Sequence, residues 1–384
     1  METIRDSSWP RDSGGRGDEG AHDEEGGHVP TQALTPPLEE VARVFRSKPF
    51  VPHTLFRNGH AQTVAAALRL LRRGELRVEE SLYESRTVEV EPRARVLLKC
   101  RWQENRPDAP TLLLLHGLEG SSRSLYVLGT ARKAFGAGFN VVCMNMRNCG
   151  DTEHLSETLY HSGMTGDIHR VLSEELSGRE GLKEIYVAGF SMSGNMVLRL
   201  AGDYGDDAPP ALAGVVAVSP SIELNGCAER LERRENALYR WSFMRSLRRR
   251  VRRKKRLHPS AYDTRGLWRV RTLRRFDDRV TAPHGGFRDA ADYYARTSSL
   301  QVIARIRIPT LILHAADDPL IPAEPFRDPS ISANPNVLLI LTERGGHVGF
   351  IAAASTHEDR RWAENRVVEF CRRLRGQRPE VRGQ

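Results

Sequence analysis

The chain has 384 residues, with 58 Lys or Arg and 49 Asp or Glu, so that its formal net charge is +9. Ten acidic and three basic residues lie in residues 1–40, which leaves about +16 for the remainder. The sequence shows no basic-then-apolar signal segment, no run near the ~18 apolar residues of a membrane span, and no metal-ligand spacing among its five cysteines. These features argue against an exported, membrane-spanning or cysteine-metal protein and predict a cytoplasmic chain with reduced thiols.

Composition divides the chain into three parts. Residues 1–37 consist largely of Gly, Asp, Glu, Ser and Pro with almost no apolar periodicity, and they are expected to form a disordered acidic tail. Residues 38–375 carry the apolar patterns of a single large domain, and residues 376–384 are expected to be a flexible C-terminus.

Strand-like runs then follow one another in a regular rhythm. Thr87–Glu91 and Ala94–Cys100, separated by Pro92, predict an antiparallel pair. Further strands are predicted at 111–116, 140–146, 184–189, 212–219, 309–314 and 336–342, with helical patterns at 123–136, 164–178, 193–203 and 360–374. This alternation predicts a mostly parallel eight-stranded sheet flanked by helices, with its site at the carboxyl ends of the strands.

Between Pro220 and Ile308 the strand rhythm stops and helix-forming, charged residues dominate. This pattern predicts a helical cap inserted at about 221–307. An apolar element of the cap (Tyr239, Trp241, Phe243 and Met244) would either line an acyl pocket or simply pack the cap against the domain.

The cap also contains a basic run, with ten cationic and no acidic residues between Arg240 and Arg256. A solvated helix face, an anionic membrane surface and a nucleic-acid stripe are three interpretations of such a run. Nucleic acid is disfavoured because no aromatic residues interleave the dense part of the run, Arg245–Arg256, and no binding motif accompanies it. The membrane hypothesis places Arg248–Arg256 in peripheral contact with an inner membrane face, whose anionic lipids attract cationic side chains.

The predicted strand at 184–189 runs into Gly189-Phe-Ser191-Met-Ser193-Gly, followed at once by a helical pattern. A serine at the apex of such a strand–turn–helix is the nucleophile of G-x-S-x-G enzymes, although Ser191 as a simple helix N-cap is the alternative. Ser193 stands where glycine is usual; its hydroxymethyl group is expected to fit, and tightening of the turn is the alternative.

Two later segments favour the nucleophile. The strand at 309–314 is followed by Asp317-Asp318-Pro319, and the strand at 336–342 by Gly345-Gly-His347. The order Ser191, aspartate, His347 is that of an α/β-hydrolase triad. Asp318 is the preferred acid, since it precedes Pro322 by four residues, and Asp317 is the alternative that caps the turn.

Two backbone N–H groups are needed to stabilise the oxyanion that forms during acyl transfer. Met192, directly after the nucleophile, is predicted to supply one. The loop His116-Gly117-Leu118-Glu119-Gly, which follows the strand at 111–116, is predicted to supply the other from Leu118. His116 itself is expected to be a structural, hydrogen-bonded histidine.

Several motifs together resemble the YheT-like AB hydrolase 4 family over roughly residues 45–375. They are Asn58-Gly-His-Ala-Gln-Thr63, His116-Gly-Leu-Glu-Gly-Ser121, Tyr160-His-Ser-Gly163, Gly189-Phe-Ser-Met-Ser-Gly-Asn195, Phe276-Asp-Asp278, Asp292-Tyr-Tyr294, Asp317-Asp-Pro319 and Gly345-Gly-His-Val-Gly-Phe350. The resemblance implies an α/β-hydrolase fold and serine-esterase chemistry on carboxylic esters, with the nucleophile at Ser191, the acid at Asp318 and the base at His347. Ser193 and Arg147-Asn-Cys-Gly150 depart from the family pattern.

The sequence therefore predicts a serine carboxylic-ester hydrolase that needs no metal or organic cofactor. Its expected substrates are small-molecule esters with short- to medium-chain acyl groups, including acylglycerol-type lipids. An alcohol O-acyltransferase on the same triad is the first alternative, and a non-catalytic module that binds a polyanion or a membrane is the second. The oligomeric state is left open.

Overall fold

The computed structural model describes residues 33–68, 80–355 and 357–375. Its single sheet has eight strands in the order β1-β2-β4-β3-β5-β6-β7-β8. The strands are β1 (Glu84–Glu91), β2 (Ala94–Arg101), β3 (Thr111–Leu115), β4 (Asn140–Asn145), β5 (Ile185–Phe190), β6 (Leu212–Val218), β7 (Thr310–Ala315) and β8 (Val337–Thr342). The predicted eight-stranded, mostly parallel sheet is confirmed.

The strand directions determine where a site can form. β1 and β2 pair antiparallel and β2 also runs antiparallel to β4, whereas β4, β3, β5, β6, β7 and β8 are mutually parallel. The carboxyl ends of β3, β5, β7 and β8 therefore open at the same edge of the sheet, which is where parallel sheets place their ligands.

Twelve helices surround the sheet in the described residues. They are α1 (Pro36–Arg46), α2 (Gly59–Ala67), α3 (Leu125–Gly136), α4 (Thr165–Arg170), α5 (Met192–Tyr204), α6 (Leu224–Glu232), α7 (Ala237–Leu257), α8 (Leu273–Phe276), α9 (Ala282–Gly285), α10 (Ala290–Thr297), α11 (Pro329–Ser332) and α12 (Trp362–Arg375). α4 and α8 continue as wider π-helical turns over Val171–Arg179 and Asp277–Thr281.

The core consists of two layers, one on each face of the sheet. In β3, Leu113 and Leu115 belong to the layer formed with α4 and α5, while Leu112 and Leu114 belong to the layer formed with α1, α3 and α12. All five β3 residues are buried, as expected for a strand covered by helices on both faces.

Helices α6–α10 are inserted between β6 and β7 and form the predicted helical cap. The cap has small apolar clusters of its own. Met244, Leu247 and Val251 of α7 pack with Leu159 and Tyr262 in one of them.

Residues 1–32 and 376–384, which include most of the predicted acidic tail and the whole predicted C-terminal extension, lie outside the described residues. The predicted start of the domain at residue 38 is two residues late, because α1 begins at Pro36. Proline is favoured at this position, where its missing N–H has no helical acceptor to lose.

Candidate active site

Ser191 lies at the apex of the turn from β5 to α5, with φ +57° and ψ −119°. A positive φ at a non-glycine residue is strained, and such strain is typical of a nucleophile held on a tight elbow. The elbow requires a small residue at Gly189, because a Cβ there would lie 2.3 Å from the carbonyl oxygen of Ser193.

Ser193 takes part in the hydrogen bonds of the elbow. Its fully buried hydroxyl accepts a hydrogen bond from the Phe190 N–H (2.8 Å) and donates one to the Leu115 carbonyl (2.8 Å). The serine thus joins the elbow to the end of β3 by polar contacts that glycine cannot make.

The structure brings Ser191, His347 and Asp318 together from three strand ends. His347 Nε2 lies 2.9 Å from Ser191 Oγ, and His347 Nδ1 lies 2.8 Å from Asp318 Oδ2. Because an ionised carboxylate can only accept, His347 Nδ1 carries the proton and Nε2 is free to accept the Ser191 proton.

The environment of Asp318 keeps it ionised. Its side chain is fully buried, and its Oδ1 accepts hydrogen bonds from the Leu320 and Ile321 N–H groups (2.8 and 3.0 Å). Burial by itself opposes ionisation, but the attraction of His347 and these hydrogen bonds outweigh it, so that the pKa of Asp318 is lowered from its ordinary value.

Asp317 has a different task. Its Oδ1 accepts a hydrogen bond from the Gly346 N–H at 2.8 Å, which ties β7's exit loop to the loop that carries His347. Burial raises the pKa of Asp317 from its ordinary value. Of the two candidate aspartates, Asp318 is therefore the one in contact with the His347 ring.

The two predicted oxyanion donors flank the same site. Leu118 and Met192 both line the cavity that contains Ser191. The first hydrogen bond of α5 runs from the Asn195 N–H to the Ser191 carbonyl, so the Met192 N–H lies in the first turn, where helical N–H groups lack an acceptor. The Gly117 loop approaches closely, since a Cβ on Gly117 would lie 3.0 Å from Ser191 Cβ.

His116 is held inside the protein by the backbone. Its Nδ1 lies 2.8 Å from the Gly117 carbonyl, and its Nε2 accepts from the Met146 N–H at 3.2 Å. Burial lowers the pKa of His116 to about 4, so the ring is neutral at physiological pH and supports the loop as a structural residue.

Glu119 ties this loop to the cap. The Glu119 N–H donates to the Tyr160 hydroxyl (2.8 Å), while its carboxylate accepts from Arg250 Nε (2.8 Å) and from the Ser246 hydroxyl. The Arg250 and Glu119 side chains are only 10% and 7% exposed. An internal ion pair therefore joins α7 to the residue next to Leu118.

A second support, which the sequence analysis did not assign, comes from α2. The Thr63 hydroxyl accepts a hydrogen bond from the His347 N–H at 2.8 Å. Gln62, fully buried, accepts from the Ile351 N–H (2.7 Å) and donates to the Ile351 carbonyl (3.1 Å). The Asn58–Thr63 motif thus holds both ends of the turn that carries His347. In the sequence, this motif contributed to the family resemblance, but nothing in it indicated a contact with the His347 turn.

The basic run on α7 is divided between the two faces of the helix. Arg250 and Lys254 turn inward, where the buried Lys254 donates to the Glu153 carbonyl at 3.0 Å, while the half-exposed Arg253 pairs with the Glu153 carboxylate (2.6 Å). The run Arg248–Arg256 is therefore not exposed along its whole length. The helical period of 3.6 residues points every third or fourth side chain at the domain.

Ser191 and His347 open into a cavity of about 970 Å³, counting the space open to solvent at its mouth. Its wall is mostly apolar and is supplied largely by the cap and its neighbouring loops (Leu159, Leu224, Leu231, Leu247, Val251 and Leu320). Of the four cap side chains expected to line a pocket, Phe243 does so. Trp241 is 60% exposed, Met244 packs inside the cap, and Tyr239 stacks on His60.

Across the described ranges, no group of three or more His, Cys, Asp or Glu residues is arranged to hold a metal ion. Within those same ranges, no helix combines the length and apolar character needed to cross a bilayer.

The chain resembles known proteins in both sequence and structure. The family model of the alpha/beta hydrolase fold matches residues 110–354. "Putative esterase YheT" of Escherichia coli is 34% identical over 329 residues, which cover 84% of this chain and 93% of that protein. A "Monoacylglycerol lipase" of Saccharomyces cerevisiae is 31% identical over 277 residues, which cover 70% of this chain but only 60% of that protein.

Among solved structures, an acylaminoacyl peptidase of Pyrococcus horikoshii superposes with a TM-score of 0.50 at 15% identity, covering 82% of this chain and 45% of that one. This likeness concerns the fold alone. The match to the family model and the identity to the Escherichia coli protein go further, and they show that the chain belongs to the α/β-hydrolase family, among its esterase- and lipase-like members.

Proposed function

We propose that the protein is a serine carboxylic-ester hydrolase that works through an acyl-enzyme. The observation that carries this proposal is the chain of contacts from Asp318 through His347 to Ser191, at 2.8 and 2.9 Å, at the mouth of a mostly apolar cavity. This is the arrangement in which a base activates a serine and a carboxylate orients the base.

In the first half-reaction, Ser191 Oγ attacks the ester carbonyl carbon and its proton passes to His347 Nε2. The N–H groups of Leu118 and Met192 donate to the oxyanion, which the N-terminal end of α5 further stabilises. The carbonyl–alkoxy bond then breaks, and the alcohol leaves with the proton from His347.

In the second half-reaction, water gives a proton to His347 Nε2 and attacks the acyl carbon. The bond from the acyl carbon to Ser191 Oγ breaks, the acid is released, and the proton returns to Ser191. Asp318 stays ionised throughout and stabilises the imidazolium that forms in each half.

The cavity supports esters with short- to medium-chain acyl groups, including acylglycerol-type lipids, as substrates. Its leucine-rich wall would bury an acyl chain, and each buried methylene adds about 0.8 kcal/mol of favourable transfer free energy. The name of the yeast relative, a monoacylglycerol lipase, agrees with this class.

The test combines labelling with an acyl-length series. A fluorophosphonate probe is expected to label the wild-type protein but not Ser191→Ala, and nitrophenyl esters of increasing acyl length should give a maximum of kcat/KM at short to medium length. Adding an alcohol to the assay separates hydrolysis from acyl transfer, because a transferase would form a new ester. An unlabelled, inactive wild-type protein would contradict the proposal.

We further propose that the outward face of α7 touches anionic membrane surfaces. Arg245, Arg249, Arg252 and Arg256 are exposed at helical spacing on this face, and none has an ion-pair partner within the described residues. Leu238 and Trp241, 80% and 60% exposed, continue the same face toward the start of α7. Cationic side chains with an exposed Leu and Trp are typical of helices that lie at a bilayer interface.

Each arginine would contribute about 1 kcal/mol at an anionic surface, and salt at a Debye length of roughly 8 Å would weaken it. Co-sedimentation with vesicles should therefore depend on phosphatidylglycerol and fall at high salt. Replacing Arg249, Arg252 and Arg256 by Gln should abolish it, whereas the equal charge change at exposed Arg43, Arg46 and Arg372 should not. Binding that ignores lipid charge and salt would leave the face as solvated surface.

A further inference from the structure

The cavity contains an ionisable side chain that the proposed reaction does not use. Asp277, only 5% exposed, lines the same cavity as Ser191 and His347. It begins the π-helical turn that follows α8, and such turns are frequent at functional sites. Its motif, Phe276-Asp-Asp278, is also one that the sequence analysis left without a role.

The direct hydrogen-bond partners of Asp277 are neutral hydroxyl groups. Its Oδ1 accepts a hydrogen bond from the Thr281 hydroxyl (2.6 Å) and its Oδ2 accepts one from the Tyr294 hydroxyl (2.6 Å). Within the described ranges no Lys, Arg or His forms an ion pair with it. A carboxylate can accept about four hydrogen bonds, so acceptor capacity remains at the cavity wall.

A second polar group on this wall also has no protein partner. Ser221 is 5% exposed, lines the cavity, and its Oγ has no hydrogen-bond partner among the described residues. Buried polar atoms are nearly always satisfied, so an unpaired hydroxyl in a ligand cavity indicates a hydrogen-bonding ligand.

The charges nearby decide which kind of donor fits. Arg250 lines the same cavity, and the charge of Arg274 acts on Asp277. Because the Arg250 charge is paired with Glu119, Arg274 is the cation that acts on Asp277, and a neutral hydroxyl can donate to the carboxylate without adding a further positive charge.

We infer that Asp277, with Thr281, Tyr294 and Ser221, forms a polar subsite that binds a free hydroxyl group of the ester substrate. The inference rests on the proposed ester hydrolysis and narrows its substrates to esters of polyhydric alcohols. Asp277 is in this reading a specificity-determining residue, whose carboxylate accepts the hydroxyl proton in a hydrogen bond while the ester reacts at Ser191.

The test compares the glyceryl and propyl esters of decanoic acid, which share the acyl chain and the three alcohol carbons and differ in two hydroxyl groups. The wild-type protein should prefer the glyceryl ester in kcat/KM by about 10- to 100-fold, the usual range for a hydrogen bond to a charged group. Asp277→Asn should bring this ratio close to one. The ratio does not depend on how much of a variant is folded, because both substrates meet the same active molecules.

Asp278→Asn is the matched control. Asp278 is adjacent, accepts from the Ala290 N–H at 2.8 Å and does not line the cavity, so its variant should keep the wild-type ratio. An unchanged ratio in Asp277→Asn, or a wild-type ratio near one, would overturn the subsite while leaving ester hydrolysis intact.

Binding separates failure of the subsite from failure of the chemistry. Glyceryl decanoate should bind Ser191→Ala more tightly than it binds the Ser191→Ala, Asp277→Asn double variant by a similar factor, as measured by calorimetry. Equal affinities would contradict the subsite even if the wild-type protein hydrolysed no ester. A preference of the wild-type protein for an aminoethyl ester over the glyceryl ester would instead assign the carboxylate to a cation.

Discussion

The edge of the sheet and the cap contribute to the same cavity in different ways. At the sheet edge, Ser191 and Asp318 follow the fully buried strands β5 and β7, His347 follows the partly buried strand β8, and their side chains meet within 3 Å. In the cap, the side chains that reach the cavity come from the long helix α7 and from shorter helices and turns, which have small apolar clusters of their own. The strands thus position the residues of the proposed chemistry, while the cap forms the wall against which a substrate would bind.

The two regions are not independent, because several contacts cross between them. The Glu119–Arg250 ion pair links the loop at residues 116–120 to α7, and His60 of α2 stacks on Tyr239 of α7. A change at the sheet edge should therefore affect turnover directly. A change in the cap should act mainly on selectivity, and on turnover only through these contacts.

Removing the nucleophile tests the sheet edge most severely. Ser191→Ala should reduce ester hydrolysis by on the order of 10⁶-fold, as removal of a triad serine does in a serine protease. The fold should persist because alanine fits the elbow, and circular dichroism would verify this. If Ser191→Ala retained activity while Ser193→Ala lost it, the nucleophile would be Ser193.

The two neighbouring aspartates sharpen the assignment within the sheet edge. Asp318→Asn should lower kcat by roughly 10⁴-fold, since an amide favours the wrong imidazole tautomer. Asp317→Asn should have a much smaller effect, because the Asp317 carboxylate accepts from the loop backbone at Gly346 and does not contact the His347 ring. Steady-state kinetics of both variants is the measurement, and the reverse ranking would move the acid to Asp317.

Arg250 tests whether the cap supports the chemistry. Arg250→Met would leave the buried Glu119 carboxylate uncompensated and should destabilise the protein by about 3–5 kcal/mol. Turnover measured below the melting temperature should fall about 10-fold or more, since a misplaced oxyanion donor affects the transition state.

The double variant Arg250→Met, Glu119→Gln separates the two effects. It should recover much of the stability in thermal unfolding, because no buried charge is left unpaired, but it should not recover turnover. Wild-type turnover in both variants would mean that the ion pair only holds the cap in place.

The pH dependence of the free energy of unfolding tests the buried Asp277 carboxyl of the cap. Burial raises the pKa of Asp277 to about 6, although the hydrogen bonds from Thr281 and Tyr294 partly oppose this shift. The folded protein therefore holds the Asp277 proton more tightly than the unfolded chain does. The protonated Asp277 carboxyl contributes fully to the free energy of unfolding below the ordinary pKa of 3.8, and this contribution is lost as pH rises through about 6.

The lost contribution should amount to about 3 kcal/mol between pH ~4 and ~7. Chemical denaturation across that interval should show a shallower decline for Asp277→Asn than for the wild-type protein, with Asp278→Asn as the control. Parallel curves for Asp277→Asn and wild type would contradict an uncompensated carboxylate.

The smallest expected effect concerns the contact between the elbow and β3. Ser193→Gly removes the hydrogen bonds to the Phe190 N–H and the Leu115 carbonyl and should lower the free energy of unfolding by about 1–2 kcal/mol. Turnover should fall only slightly, because Ser191 keeps its own backbone contacts. Higher stability in the glycine variant would show that the serine side chain strains the turn.

The sequence by itself determined the elements and the identity of the candidate residues. Apolar runs of five to eight residues, broken by Gly, Pro and Asp, predict strands because only such runs are buried on both faces of a sheet. The chain order of Ser191, Asp318 and His347 followed from the same pattern, since each residue stands just after a strand.

Tertiary structure decided what the pattern could not encode. The basic run on α7 looked continuous in sequence, but packing turned Arg250 and Lys254 inward, where Glu119 and backbone carbonyls receive them. Likewise, Asn58–Thr63 supports the His347 turn from nearly 300 residues away in the chain. Periodicity reports which residues are apolar along one element, whereas partners across elements depend on how the elements pack.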